Sequence, residues 1–391
     1  MSAVKRTIGV VTVSRSDWGH LRPVLEAIRS APDLALRLIV AGMHLEPAFG
    51  RTVGEIEAEG WPITARIPMA ETDDSPSGIS ASTGRGIEGF ARAYADTRPD
   101  LVVVLGDRFE MLAAAVAALP FALPVAHIHG GEETQGAMDN QIRHAITKLA
   151  HLHFASADVH AWRIIRMEEE AWRVHTVGAP GLDRLRGVDL LSREALAAEL
   201  GLRAGVPWLI VTFHPVTLEH ADTADHMAEL LAALEKADGE IVITYPNADT
   251  AARAIIGRIE EFAGRYRRVR LARSLGDRVY LSLLGQAAAM VGNSSSGLIE
   301  APSFGLPVVN IGSRQRGRLR GANVIDTGYG REEILRGLER ALDPAFRAGL
   351  KGMANPYGDG RAASRIVEVL RAVPLDARLV QKCFADGGAT A

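Results

Sequence analysis

The stretch "DLVVVLGDRFEMLAAAVAALPFALPVAHIHGG" (100–131) decides the fold. Two apolar runs, 100–106 and 124–129, flank a helix-like segment of Ala, Val and Leu. A short run that is apolar at nearly every position reads as a strand buried on both faces. Two such runs joined through a helix make a parallel βαβ unit. Titratable residues crowd the end of each run. Asp107 and Arg108 follow the first; His129, Glu132 and Glu133 stand at the end of the second.

The same alternation extends in both directions. "TIGVVTV" (7–13), "LRLIVA" (36–41) and "HLHFAS" (151–156) read as further strands. A second series comprises "WLIVTF" (208–213), "EIVITYP" (240–246), "RVRLA" (268–272), "AAMVG" (288–292) and "LPVVNIG" (306–312). Leu21, Val24, Leu25 and Ile28 have the i, i+3, i+4, i+7 spacing of an amphipathic helix. This βαβα pattern predicts an α/β protein of two doubly wound, Rossmann-like domains. Gly and Pro in "GAPGLDRL" (178–185) set the expected boundary, with domains at 1–180 and 181–357. The helix-like "RAASRIVEVLRAV" (361–373) could pack on either domain. With residues 358–378 it is assigned to the first.

Composition narrows the function. The chain has 391 residues, is 47% hydrophobic and carries a formal net charge of −3. That balance gives no reason to expect nucleic acid or an anionic membrane as partner. Cys383 is the single cysteine, so neither a disulfide framework nor a cysteine metal site is expected. The N-terminal apolar run breaks at Ser14-Arg15 and reads as a strand rather than a signal peptide. No apolar stretch approaches the ~20 residues of a membrane span. The expectation is a cytoplasmic enzyme.

In doubly wound folds ligands lie beyond the C-terminal ends of the strands, here expected in a cleft between the domains. Arg15, in "SRSDWGH" (14–20), is either an anion contact or a surface Arg beside a helix cap. His44, in "GMHLEPAFG" (42–50), is either a substrate contact or a loop hydrogen-bonder. Asp107 and Arg108 suit an acid/base and phosphate pair, against a capping Asp with an ion-paired Arg. Gly130-Gly131 let the backbone approach a ligand closely. Asp139 falls in the first turn of a helix, where the helix dipole favours a carboxylate. Arg143, four residues on, is its ordinary ion-pair partner. H-x-H on a strand would place His127 and His129 on one face, as zinc ligands would be. The lack of a partner Cys or a helical HExxH speaks against zinc, and no metal is expected.

In the second half, His214 and Asn247 follow consecutive strands. In "VGNSSSGLIEAPSFG" (291–305) a strand ends, serines follow and a helix begins. Ser294, Ser295 and the helix N–H groups would bind an anion, and Glu300 would accept from ribose hydroxyls. Arg314, Arg316, Arg318 and Arg320, in "GSRQRGRLRG" (312–321), read as a diphosphate clamp or as solvated charge. Gln315 lies among them as a candidate substrate contact. No Walker A and no strand-linked GxGxxG is present, which argues against an ATPase or a dinucleotide oxidoreductase. The constellation reads as a nucleoside diphosphate site with acids and histidines facing the reactive part of the ligand.

Taken together, "SRSDWG", "GMHL", "GDRFE", "GGE…D…IRHAITKLAH", "FHPVT", "GNSSSGLIE" and "GSRQRGR" resemble the hydrolysing UDP-N-acetylglucosamine 2-epimerases. The likeness spans roughly residues 5–375. It implies a GT-B fold, a UDP-sugar substrate, no dissociable cofactor and a homodimer or homotetramer. The implied reaction removes the C2 proton of the sugar while the nucleotide leaves C1. Water then adds to the resulting glycal to give a free manno sugar. By resemblance Asp107 and Asp139 take acid/base places, and His214 lies near the diphosphate. Arg15, Arg108, Asn247, Ser294, Ser295, Glu300 and Arg314 match nucleotide contacts. Where sialic-acid members read HIEGG, with a catalytic Glu, this chain has His129 in "HIHGG". Either His129 or Glu132 takes that Glu's place. The HIHGG form suits bacterial members acting on 2,4-diacetamido-2,4,6-trideoxy sugars as well as on N-acetylglucosamine. Neighbouring readings are a nonhydrolysing epimerase, a GT-B glycosyltransferase and a nucleotide-sugar sensor.

Overall fold

The structure, a computed structural model, describes residues 5–47, 50–69, 75–133, 138–246, 252–273 and 275–385. The chain divides into two compact units, residues 1–186 with 357–391 and residues 187–356.

The first unit holds strands β1 (Arg6–Thr12), β2 (Leu34–Ala41), β3 (Ile63–Ile67), β4 (Leu101–Leu105), β5 (Val125–Ile128), β6 (Leu152–Ala155) and β7 (Val174–Thr176). They form one parallel sheet in the order β3-β2-β1-β4-β5-β6-β7. Apolar side chains alternate between two cores. Ile8, Val10, Leu101 and Val103 pack on one face; Val11, Val102 and Val104 pack on the other. That two-sided burial is why these strands are apolar at nearly every position. The direction of winding reverses between β1 and β4.

The second unit repeats the design with β8 (Trp208–Thr212), β9 (Glu240–Thr244), β10 (Val269–Ala272), β11 (Ala289–Gly292), β12 (Val308–Ile311) and β13 (Val324–Thr327). Its order is β10-β9-β8-β11-β12-β13, all parallel, and winding reverses between β8 and β11.

The sequence reading omitted β3, β7 and β13. Each carries exposed or half-exposed residues and so lacks an unbroken apolar run. The units part after Arg186, beyond the Gly-Pro at 179–181. The reason is local: Asp183 accepts from Ala362 N at 2.9 Å and Ala363 N at 2.7 Å, fastening this turn to the C-terminal helix Ala362–Ala372. Ile366, Val367 and Leu370 of that helix enter the first unit's core.

Register brings the functional ends level. Leu105 pairs with Ile128, and Ile128 with Phe154, so the ends of β4, β5 and β6 lie side by side. In the second unit Gly292 pairs with Thr212 at the reversal point. Gly292 has φ 129°, and a Cβ there would lie 1.9 Å from Thr212 O. Backbone therefore touches backbone where β8 and β11 meet. Gly292→Ala is expected to cost about 2–4 kcal/mol, from strain and overpacking together. Exposed Gly54, with open space around it, should tolerate Ala with a gain of up to about 1 kcal/mol. Denaturant midpoints measure both, and equal midpoints for the two variants would contradict this packing.

Candidate active site

The turn after β1 is built by Asp17, which is 3% exposed. Its Oδ2 accepts from Val13 N at 2.8 Å and Thr12 Oγ1 at 3.0 Å, and its Oδ1 accepts from Ser14 N at 2.7 Å. The turn is thereby fixed and Arg15 points outward, with its side chain 66% exposed and Glu55 at 3.7 Å. An outward, loosely paired guanidinium is available to an anion.

Of the two readings of His44, the structure fits the hydrogen-bonder. It is 1% exposed, with Nε2 2.9 Å from Thr12 Oγ1 and Nδ1 2.7 Å from Thr52 Oγ1. Thr12 gives its own proton to Asp17, so His44 Nε2–H donates to Thr12. With both ring nitrogens engaged, His44 is a buried brace for the Thr12 turn rather than a substrate contact.

Beyond β4, Asp107 does not cap the next helix, whose N-cap position is Arg108. Arg108 instead forms a two-point pair with the buried Glu110, at 3.1 and 2.9 Å. Asp107 accepts from Arg143 Nη2. The expected helical pair of Asp139 with Arg143 had hidden this contact. Arg143 sits one turn after Asp139 on the helix Asp139–Leu149. It thus ties the Asp107 turn to the helix that carries Asp139.

The end of β5 separates two histidines. His127 is fully buried, with Nε2 2.7 Å from Gly106 O and Nδ1 3.3 Å from Thr147 Oγ1. Burial, opposed by the bond to Gly106, pushes its pKa down to about 3, so it is a neutral core residue. His129 lies past the strand end with φ 65°, so the same-face H-x-H geometry is not formed. Its Nδ1 lies 2.6 Å from Glu132 Oε1, and its ring packs edge-on against His20 at 5.7 Å. Glu132 Oε1 also accepts from Ser156 Oγ at 2.6 Å. Among the described residues no group of three His, Cys, Asp or Glu is arranged to hold a metal.

In the second unit the organising residue is Asn293, which the sequence reading passed over. It is fully buried. Its Oδ1 accepts from His214 N at 2.7 Å and its Nδ2 donates to His214 O at 2.8 Å. Its carbonyl accepts from Arg314 Nη1 at 3.1 Å and Gln315 Nε2 at 2.8 Å. Its side chain therefore joins the ends of β8 and β11, and its main-chain carbonyl takes the residues that follow β12. The Gly-Asn before the serines was its sequence signal. Burial and the nearby Arg314 push the His214 pKa down to about 3, so its ring is neutral.

Ser294 and Ser295 are half-buried beside Asn293. The helix after them is short, Ser296–Ile299, with Glu300 at its end. Pro302 disfavours helical backbone at Ala301, and a 3-10 turn Ala301–Phe304 follows. So short a helix has little dipole, and an anion here would rely on hydroxyls and Arg314. The four arginines of 314–320 are not equivalent. Arg314 is tied to Asn293, while Arg320 is 2.8 Å from Asp326 Oδ2 and is committed there. Gln315 is 1% exposed, which places it behind the surface rather than on it. Asn247 lies outside the described residues.

Residues 26–371 match the UDP-N-acetylglucosamine 2-epimerase family. The chain is 37% identical over 381 residues to the "UDP-N,N'-diacetylbacillosamine 2-epimerase (hydrolyzing)" of Legionella pneumophila, covering 97% of this chain and 99% of that protein. It is 37% identical over 325 residues to the "GDP/UDP-N,N'-diacetylbacillosamine 2-epimerase (hydrolyzing)" of Campylobacter jejuni, covering 83% and 84%. The crystal structure of UDP-GlcNAc 2-epimerase from Neisseria meningitidis bound to UDP-GlcNAc matches with a TM-score of 0.80 at 18% identity, over 93% of this chain and 99% of that one. That likeness gives the fold as GT-B-like, with two Rossmann-like units.

The buried histidines set an acid limit on stability. His127 and His214 have pKa values near 3, and His151 and His160 near 4, in each case chiefly through burial. Above pH ~6.5 folded and unfolded rings are both neutral and contribute nothing. Below it the unfolded rings take up protons that the folded ones refuse. Stability is then lost as pH falls toward about 4, by up to about 1.4 kcal/mol per pH unit for each histidine. Urea midpoints from pH 7 to pH 4.5 should therefore decline steadily. A flat profile would contradict the neutral, buried placement.

Proposed function

The chain belongs to the UDP-N-acetylglucosamine 2-epimerase family, and we propose that it is a hydrolysing nucleotide-sugar 2-epimerase. Its substrate is a UDP-linked 2-acetamido sugar, either UDP-2,4-diacetamido-2,4,6-trideoxyglucose or UDP-N-acetylglucosamine. The products are UDP and the free manno-configured sugar, a precursor for nonulosonic acids such as sialic or legionaminic acid. Identity of 37% along 97% of the chain to a hydrolysing relative supports the reaction type. The observation that carries the mechanism is Arg143, which holds Asp107 and the Asp139 helix together beside the His129–Glu132 pair.

The chemistry follows from that grouping. The C2 proton is weakly acidic, so its removal must coincide with loss of the nucleotide from C1. Arg15, Arg108 and Arg314 are cations suited to neutralise the departing diphosphate. Ser294, Ser295 and neutral His214 supply further hydrogen bonds, and Glu300 the ribose contact. Inversion at C2 requires removal from one face and return of a proton from the other, hence at least two acid/base groups. Asp107, Asp139 and the His129–Glu132 pair provide them. None of these steps calls on a metal or dissociable cofactor. No described helix is long and apolar enough to cross a membrane. A cytoplasmic homodimer or homotetramer belongs to the same proposal and rests on the family likeness.

Turnover of each UDP-sugar in deuterated water tests this. Free UDP and a manno sugar with deuterium at C2 are expected. Intact epimerised UDP-sugar would mean a nonhydrolysing epimerase, and a need for an added acceptor would mean a transferase. Asp107→Asn should lower kcat by about a hundredfold or more with UDP affinity little changed. An equal loss of UDP binding would make Asp107 structural.

A further inference from the structure

Three strands, β2, β4 and β12, are followed at once by a glycine in the left-handed region: Gly42 at φ 57°, Gly106 at 76° and Gly312 at 75°. After β5 the same turn is made by His129, at φ 65°. A non-glycine residue is strained there. The other non-glycine residues with positive φ among those described are Arg51, Arg98, Ala122 and Glu168, and all four are exposed. His129 is 8% exposed. A buried imidazole has been kept where glycine would be easier, and such strain gathers at functional positions.

With Glu132 as a carboxylate, the hydrogen bonds around it assign the shared protons. A carboxylate only accepts. Ser156 Oγ therefore gives its single proton to Glu132 Oε1, at 2.6 Å. Its oxygen then accepts from His160 Nδ1, at 2.9 Å. His129 Nδ1, 2.6 Å from the same Glu132 oxygen, must carry a proton as well. The tautomer that this leaves carries its lone pair on Nε2, a buried atom without a hydrogen-bond partner among the described residues. Glu132 is otherwise placed: one oxygen takes two bonds, and its side chain is 8% exposed.

The frame is tight. A Cβ on Gly131 would lie 2.3 Å from His160 O and 2.9 Å from Ile164 Cγ1. Arg163 Nη1 donates to Gly131 O. Gly130 has similarly little room, 3.0 Å from His127 Nδ1. Gly131 thus lets the His129 turn press onto the helix Asp158–Arg166, which carries His160 and Arg163.

We propose that His129 Nε2, and not Glu132, is the proton-transferring atom of this turn, with Glu132, Ser156 and His160 as positioning residues that fix its tautomer. This rests on the epimerase reading above and names the group that acts in it. Nε2 removes the C2 proton, the C2–H electron pair becomes the C1=C2 double bond, and the C1–O bond breaks with its pair leaving on UDP. The imidazolium formed is held by Glu132 and loses its proton to solvent after release. For hydration, a carboxylic acid of the Asp107–Asp139 side protonates C2 from the opposite face. It regains the proton from the water whose hydroxyl adds to C1.

Two measurements on the full chain separate this from its premise. In resting enzyme labelled with 15N-histidine, with His129 assigned by difference against His129→Gln, its Nδ1 should be protonated and its Nε2 bare. Ser156→Ala should blur that tautomer preference and Ser156→Thr should restore it. This readout needs no turnover, so it stands even if the substrate or reaction is otherwise. In turnover with the UDP-sugars, His129→Gln and His129→Asn, the latter tolerant of left-handed backbone, should lower kcat by about a hundredfold or more while UDP affinity holds. Glu132→Gln and Ser156→Ala should lower kcat less, with KM unchanged. A protonated Nε2 in the resting state, or near-wild-type kcat in folded His129 variants while Glu132→Gln is inactive, would overturn the proposal. If wild-type protein releases no UDP, the premise fails, whatever the tautomer.

Discussion

Parallel strands all end at one edge of a sheet, and each chain must turn sharply there to begin its return. In this protein the constraint is met by left-handed backbone at the strand ends, and it governs what can stand at each site. Gly106, Gly292 and Gly312 make such turns, and at Gly292 main chain packs on main chain, against Thr212. Asp107 follows the first, Asn293 the second, and Arg314 stands two residues after the third. His129 occupies such a turn itself, and Gly131 after it lets the chain lie flat on the neighbouring helix.

The two units put this design to different uses. In the first, buried Arg143 holds Asp107 and Glu132 holds His129 at the ends of paired strands, groups suited to moving protons. In the second, Asn293 binds three strand ends together, two through its side-chain amide and the third through its main-chain carbonyl, and keeps neutral His214 beside cationic Arg314. That set is suited to holding an anion without itself titrating. Burial is what separates the roles. It keeps His127 and His214 uncharged, while Arg15 remains exposed on a turn that Asp17 has fixed.

The alternation that gave the architecture was legible because strands buried on both faces carry continuous apolar runs. The edge strands β3, β7 and β13, half in solvent, left no such trace. Candidate site residues stood out where they come just after a strand, as Asp107, His129, His214 and Ser294 do. Their partners were not. Helical spacing pointed Arg143 toward Asp139 and gave no sign of Asp107, 36 residues away in sequence, to which it donates. His44 stands at a strand end but turns inward, because Thr12 and Thr52 engage both its nitrogens. Ser156 closed an expected strand and His160 carried no expectation, and only the register of β5 with β6 brings them beside Glu132.

The central claim is that carbon chemistry at C1 and C2, rather than attack of water on phosphorus, releases the nucleotide. Turnover in water enriched in oxygen-18, followed by mass analysis of the UDP formed, tests this most directly. UDP free of the label is the predicted result, because the bond broken is C1–O and the incoming oxygen goes to the sugar. One labelled oxygen in the terminal phosphate would contradict it, placing the hydrolysis at phosphorus and leaving the acids of the first unit without the role assigned to them.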